Sequence, residues 1–273
     1  IFSAFVDSAN PGNPVWFNVY WLLAVACALV ILLLAGSRLD ESAAHAHGQN
    51  NSFADSLMEM LRLFVRPLVY VFLASAFLYV LIEQSFGTWL PTFNSEILKL
   101  PNAMSIQFAS ILAGMTALGR IGAGVVLKRV RWHVLLNVCV VAMGVLVMLV
   151  LPLARGVQAR PDVGWFNAPA AAYLIPLLGL LMAPIYPVIN SVALSSLPKP
   201  MHAAMTGLIV VFSALGGTMG SYITARVFAS FDGIHAFYFS LLPMSLILVT
   251  LFFFKRETDR AAVLAASPAE ALP

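Results

Sequence analysis

Glu83 is the residue around which chemistry is to be sought. It follows an uncharged run from Leu68 to Ile82, and the apolar pattern resumes beyond it through Gln84, Gly87, Trp89 and Pro91. If Pro67 opens a helix, the carboxylate lies roughly 24 Å along it at 1.5 Å per residue. A carboxylate at that depth could bind a coupling proton, hydrogen-bond a polar substrate, or bond a neighbouring helix and stay inert. Tyr79 and Gly87 share its helix face, four residues to either side, while Gln84 points to a different neighbour. Trp89 is either a ring for a substrate to stack on or an interface anchor.

A second charge, Arg120, sits in Gly119-Arg120-Ile121-Gly122-Ala123-Gly124. It is about 10 Å of helix from Leu127, whereas Glu83 is more than twice as deep from that side, so a direct Glu83–Arg120 pair is not expected. Arg120 can instead snorkel or lock a gate. Further along, Pro176, Pro184 and Pro187 fall close together with Tyr186, Asn190 and Ser191. Prolines so spaced bend or break a helix and free carbonyls, which is tolerated where protein or water satisfies them. Tyr186 and Asn190, one turn apart, suit a cavity wall, although a packing kink explains them equally well. Gly216 and Gly220 form a GxxxG, with Ser213, Gly217 and Ser221 in a parallel small-residue row, read as close helix packing. No metal site is expected: His45 and His47 lack a further ligand nearby, and Cys27 and Cys139 sit on separate apolar segments. No histidine–carboxylate or cysteine cluster lies within the spans, so an enzyme is not expected.

The elements that must position these groups follow from composition. The chain is 61% hydrophobic and 10% charged with a mean hydropathy of +0.91. That excludes a soluble domain and makes it an all-α polytopic membrane protein. Seven spans are predicted: Trp16 to Gly36, Pro67 to Phe93, Ala103 to Leu127, Trp132 to Leu153, Pro169 to Leu197, Ala203 to Ala229, and Ile234 to Phe254. A polar linker covers 37–66, with an amphipathic helix from Ser52 whose apolar face (Phe53, Leu57, Met60, Leu61, Phe64) suits a membrane surface. Residues 257–273 read as a disordered tail. Lys and Arg divide ten to four between alternate sides, which places the linker, the loop with Lys128, Arg129 and Arg131, and the C-terminus in the cytoplasm. The net charge of +3 is this orientation signal, not a nucleic-acid footprint.

Three segments resemble the major facilitator superfamily, and within it the fucose–galactose–proton symporter family. Glu83 with Gly87-Thr88-Trp89-Leu90-Pro91 is similar to that family's acidic residue followed by Gly and Trp. Gly119-Arg120 with Gly124 and Arg129 resembles the superfamily's loop motif, with Lys128 standing where an acid is usual, which bears on the charge-relay gate. Tyr186-Pro187 with Asn190-Ser191 resembles the family's tyrosine–proline segment. The resemblance implies a secondary transporter moving a small polar, sugar-like solute with protons by alternating access, in the bacterial inner membrane and without a cofactor. It implies substrate or proton contacts at Glu83, Tyr79, Gln84, Trp89, Tyr186 and Asn190, and gating by Arg120 and Arg129. The superfamily has twelve spans in two halves, so these seven match its sixth to twelfth. Residues 1–36 then end the N-terminal half, 67–256 form the C-terminal half, and the other half is missing; Ile1 in place of Met agrees. If the main coupling carboxylates lie in that half, Glu83 is an accessory group. The alternatives are a facilitator for drugs or organic anions and a seven-span receptor; a retinal protein would need a lysine in the last span, which has none.

Overall fold

The structure, a computed structural model, describes residues 17–37 and 53–266. The linker histidines His45 and His47, and Ser52 at the start of the expected amphipathic helix, lie outside them. Seven segments are long and apolar enough to cross a membrane. Helix α1 (Asn18–Gly36) buries only Val19 and turns its other side chains outward. Helix α2 (Phe53–Phe64) precedes α3 (Pro67–Glu96), which opens on Pro67 in the first turn, where its missing N–H costs nothing. Then come α4 (Asn102–Val126) and α5 (Trp132–Leu153).

The fifth span is broken, as its prolines predict. Helices α6 (Ala170–Leu174), α7 (Leu177–Met182) and α8 (Ile185–Ser195) are separated at Pro176 and Pro184, neither of which has an N–H for the preceding turn. After a short 3₁₀ turn at Lys199–Met201, α9 runs from His202 to Ser230. The last span is also divided, into α10 (Gly233–Phe239) and α11 (Leu241–Ala266), against the single helix expected. The reason is Pro243, which cannot donate to the Phe239 carbonyl.

Two further expectations need correction. The tail was read as disordered from 257, but α11 continues to Ala266. Ala261, Ala262 and Ala265 favour helix, and the Lys255–Asp259 and Arg260–Glu257 pairs, at 2.7 and 2.8 Å, bridge successive turns. The amphipathic helix was read as lying on the membrane, but one edge of α2 docks on α9. Leu63 is buried, the Phe64 ring stacks on Phe212 at 5.5 Å, and Met60 lies over Gly207. Leu57 and Leu61 stay exposed, so the apolar face is split between protein and surroundings.

Helix α3 is the axis of the bundle, with α9, α11, α4 and α8 packed around it. Its Phe72, Tyr79, Phe86 and Phe93 are fully buried. Phe237 of α10 stacks on Phe93 at 4.5 Å and packs tilted against Phe86 at 4.7 Å, and Phe254 of α11 meets Phe72. On the α9 side the contact is made by backbone. A Cβ on Gly216 would lie 2.4 Å from the Phe77 carbonyl oxygen, and one on Gly220 2.2 Å from that of Leu81. Only glycine permits this approach, which is what the GxxxG pattern predicted. Helices α4 and α7 meet likewise through Gly119 against Leu180 and Gly179 against Leu112.

Candidate functional site

The charged centre lies where α3 and α4 diverge. Glu83, Gly87, Leu112, Ala113, Thr116 and Arg120, with Met182 of α7, line an open cavity of about 350 Å³. Glu83 stands at the edge of the face that buries Tyr79 and Phe86, about one turn from each, and is half-buried. Pro91 bears on the same wall. It has no N–H for the Gly87 carbonyl four residues back, and Gly87 has no side chain to cover that oxygen. The cavity thus offers a carboxylate and a guanidinium.

Behind Glu83 runs a chain of aromatic hydroxyls. Tyr79 donates to Glu83 Oε1 at 3.1 Å, its ring stacks on Tyr186 at 5.7 Å, and the Tyr186 hydroxyl pairs with Ser213 Oγ at 2.9 Å. Three helices, α3, α8 and α9, thereby meet at one polar seam. Tyr79 is fully buried and fixes the carboxylate from behind instead of facing the opening. The kink at Pro184 brings Tyr186 round to this seam.

The other expected residues are dispersed. Gln84 is exposed on the α9 side of α3, where its Oε1 accepts from Thr88 and its stem lies beside Gly217. Trp89 donates from Nε1 to the Ser221 carbonyl at 3.1 Å and packs against Phe228, which makes it a tie between α3 and α9. Asn190 does not pair with Tyr186; its Oδ1 is buried with no hydrogen-bond partner among the described residues. Arg129 is exposed in the turn after α4 and lines neither cavity described here.

Arg120 departs most from the sequence reading. No ion pair joins it to Glu83, as helix depth predicted, yet both charges line one cavity and the guanidinium acts electrostatically on Glu83 and Tyr79. The separation along the axes excludes a direct pair but not a shared cavity between α3 and α4. Arg120 also lines a second cavity of about 470 Å³, with Trp132, Ser191 and the Pro184–Pro187 segment. It makes no hydrogen bond or ion pair with the described residues.

Sequence reasoning passed over Thr116 and gave Ser191, Ser213 and Ser221 no place in the site. Thr116 stands one turn before Arg120 on the same face, a signal that was available. The Ser213–Gly217–Ser221 row was read as scaffold alone, but its first member bonds Tyr186 and its last holds Trp89.

The family model described as Major Facilitator Superfamily matches residues 1–221. No curated protein sequence matches the chain. Among solved structures, a variant of the E. coli fucose:proton symporter, FucP, is similar with a TM-score of 0.62 at 18% identity. The match covers 88% of this chain and 55% of that one, so the chain spans about half the length of that transporter. At this identity the likeness is one of fold.

Proposed function

The chain belongs to the major facilitator superfamily, and on that premise we propose that it forms the C-terminal half of a proton-coupled secondary transporter for a small polar, sugar-like solute. The reading rests on one observation above the rest: an intramembrane carboxylate, Glu83, facing a cavity and held from behind by Tyr79. A carboxylate so placed can exchange its proton with whichever side the cavity opens to. The fucose:proton symporter that shares the fold supports a sugar-like solute and a proton as co-substrate.

The mechanism is alternating access. A second six-helix half packs over the α3, α4 and α8 face, and the two halves rock about the solute. Glu83 carries the proton in, Tyr79 orients it, and Tyr186 and Ser213 carry the seam to α9. The polar ends follow the positive-inside asymmetry, with the α2 linker and the C-terminus in the cytoplasm of a bacterial inner membrane.

Uptake into proteoliposomes of the complete transporter tests this reading. One pH unit across the membrane corresponds to about 1.4 kcal/mol per proton, a tenfold accumulation at equilibrium. Glu83→Gln removes the proton site and keeps the shape. Gradient-driven accumulation should fall to the level without a gradient, while exchange of internal for external solute persists. Accumulation by the variant equal to that of wild type at every pH would refute the role of Glu83.

A further inference from the structure

We propose that Arg120 is the anchor for a carboxylate group on the transported solute, so that the substrate is a monoanion, such as a sugar acid or hydroxy acid, carried together with the proton on Glu83. This rests on the transporter reading above and goes beyond it by naming the solute's charge.

Arg120 lies within a membrane-spanning helix and makes no hydrogen bond or ion pair with the described residues, although a guanidinium in a bilayer normally faces a cavity or a counter-charge. It faces two cavities and is the one residue they share. Their volumes of about 350 and 470 Å³ fall in the roughly 300–1,000 Å³ range of small-molecule sites. The guanidinium presents a planar fork of donors that matches a carboxylate in two parallel bonds. Among the described residues no lysine or second arginine lines either cavity. A single positive charge balances one carboxylate and would leave a phosphate dianion in excess.

Charge bookkeeping then links the anion to the proton. Among the described residues the charged or titratable groups acting on Glu83 are Tyr79 and Arg120, with Tyr186 behind Tyr79. Within this half, ionised Glu83 and Arg120 leave the empty site neutral. Protonated Glu83, Arg120 and a bound carboxylate leave the loaded site neutral as well. Proton alone gives a net positive site and anion alone a net negative one, and each must carry an unbalanced charge through a low-dielectric barrier. The two states able to reorient cheaply are the empty one and the doubly loaded one. That is the condition for coupled symport, and it makes the overall step electroneutral.

Matched pairs test the proposal. Uptake of galacturonate against galactose, gluconate against sorbitol, and lactate against propane-1,2-diol is measured in proteoliposomes of the complete transporter under an inward proton gradient. In at least one pair the carboxylate should accumulate about tenfold over its neutral partner, the value of a charge-assisted contact. That uptake should not respond to a membrane potential set with potassium and valinomycin. Arg120→Gln should erase the preference, and Arg120→Lys, which keeps the charge without the fork, should retain part of it. Should Arg120→Gln fail to fold, the wild-type pairs and Arg120→Lys decide the matter. Accumulation of neutral partners alone overturns the anion site and leaves proton-coupled transport standing. A preference unchanged in Arg120→Gln, or uptake driven by potential, also overturns it. Accumulation of no member of any pair overturns both readings.

Discussion

Gly220→Ala is a sharp perturbation of the frame that holds the site. The added Cβ would meet the Leu81 carbonyl oxygen at 2.2 Å and its carbonyl carbon and Cα at 2.8 Å. These are backbone atoms of α3 and cannot rotate away, so α9 must withdraw by about 1 Å to regain van der Waals contact. Overpacking of this kind costs about 1–3 kcal/mol. The withdrawal also stretches the Ser85 Oγ to Gly220 carbonyl bond, now 3.2 Å, and the Trp89 Nε1 to Ser221 carbonyl bond, now 3.1 Å, for about 1 kcal/mol more. At roughly 2–4 °C per kcal/mol, the detergent-solubilised protein should lose about 5–15 °C of Tm. Intrinsic tryptophan fluorescence on heating reads this directly. Gly122→Ala is the control, because a Cβ there meets nothing within 4 Å and alanine is the better helix former. Its Tm should hold or rise slightly. If Gly220→Ala stays within about 2 °C of wild type, α3 and α9 do not meet through glycine and the seam at Tyr186 and Ser213 is not built on that contact.

Three further outcomes follow from the same structure. Tyr186→Phe and Ser213→Ala each remove one end of a 2.9 Å hydrogen bond, so the double variant should be only as destabilised as the worse single one, with a coupling of about 0.5–1.5 kcal/mol in a thermal-unfolding cycle. Asp232 caps α10 by accepting from the His235 N–H at 2.7 Å; burial pushes its carboxyl up slightly, but the hydrogen bonds from His235 outweigh this and hold it below its ordinary value of 3.8. The stabilisation is therefore present above pH 3.8 and lost as pH falls through the lowered folded value, and Asp232→Ala should lower Tm at pH 7 and have little effect at the acid end of that window. Leu63→Ala should loosen α2 from α9, since burial of a leucine contributes about 2 kcal/mol or more, and trypsin should then cut after Arg62 at least about tenfold faster than in wild type; equal rates would show that α2 is held by something else.

Much of the architecture was legible in the chain because its causes are local. Unbroken apolar runs of bilayer length can only be spans, since every backbone polar group in lipid must be satisfied within the helix. Pro176 and Pro184 broke the fifth span for the reason proline breaks any helix, and Gly216 with Gly220 marked a close approach because only small residues allow one. Where local reasoning was incomplete, the cue was weaker than its neighbours. Pro243 was overlooked inside an apolar run that otherwise reads as one helix. The alanines after Glu257 were read past because charged and small residues also suit a tail.

The site divides along the same line. The depth of Glu83, its shared face with Tyr79 and Gly87, and the intramembrane position of Arg120 are properties of one helix each and could be counted along the chain. Which groups meet across helices is not such a property. Tyr186 has Asn190 one turn away and yet reaches Tyr79 and Ser213, because the break at Pro184 re-aims α8 toward α3 and α9. Glu83 and Arg120 differ in depth and yet line one cavity between α3 and α4, a relation that exists only once the two helices are packed. Sequence fixes what each helix carries on which face; tilt, kink and side-chain reach set the distances between faces, and they exist only once the helices are packed.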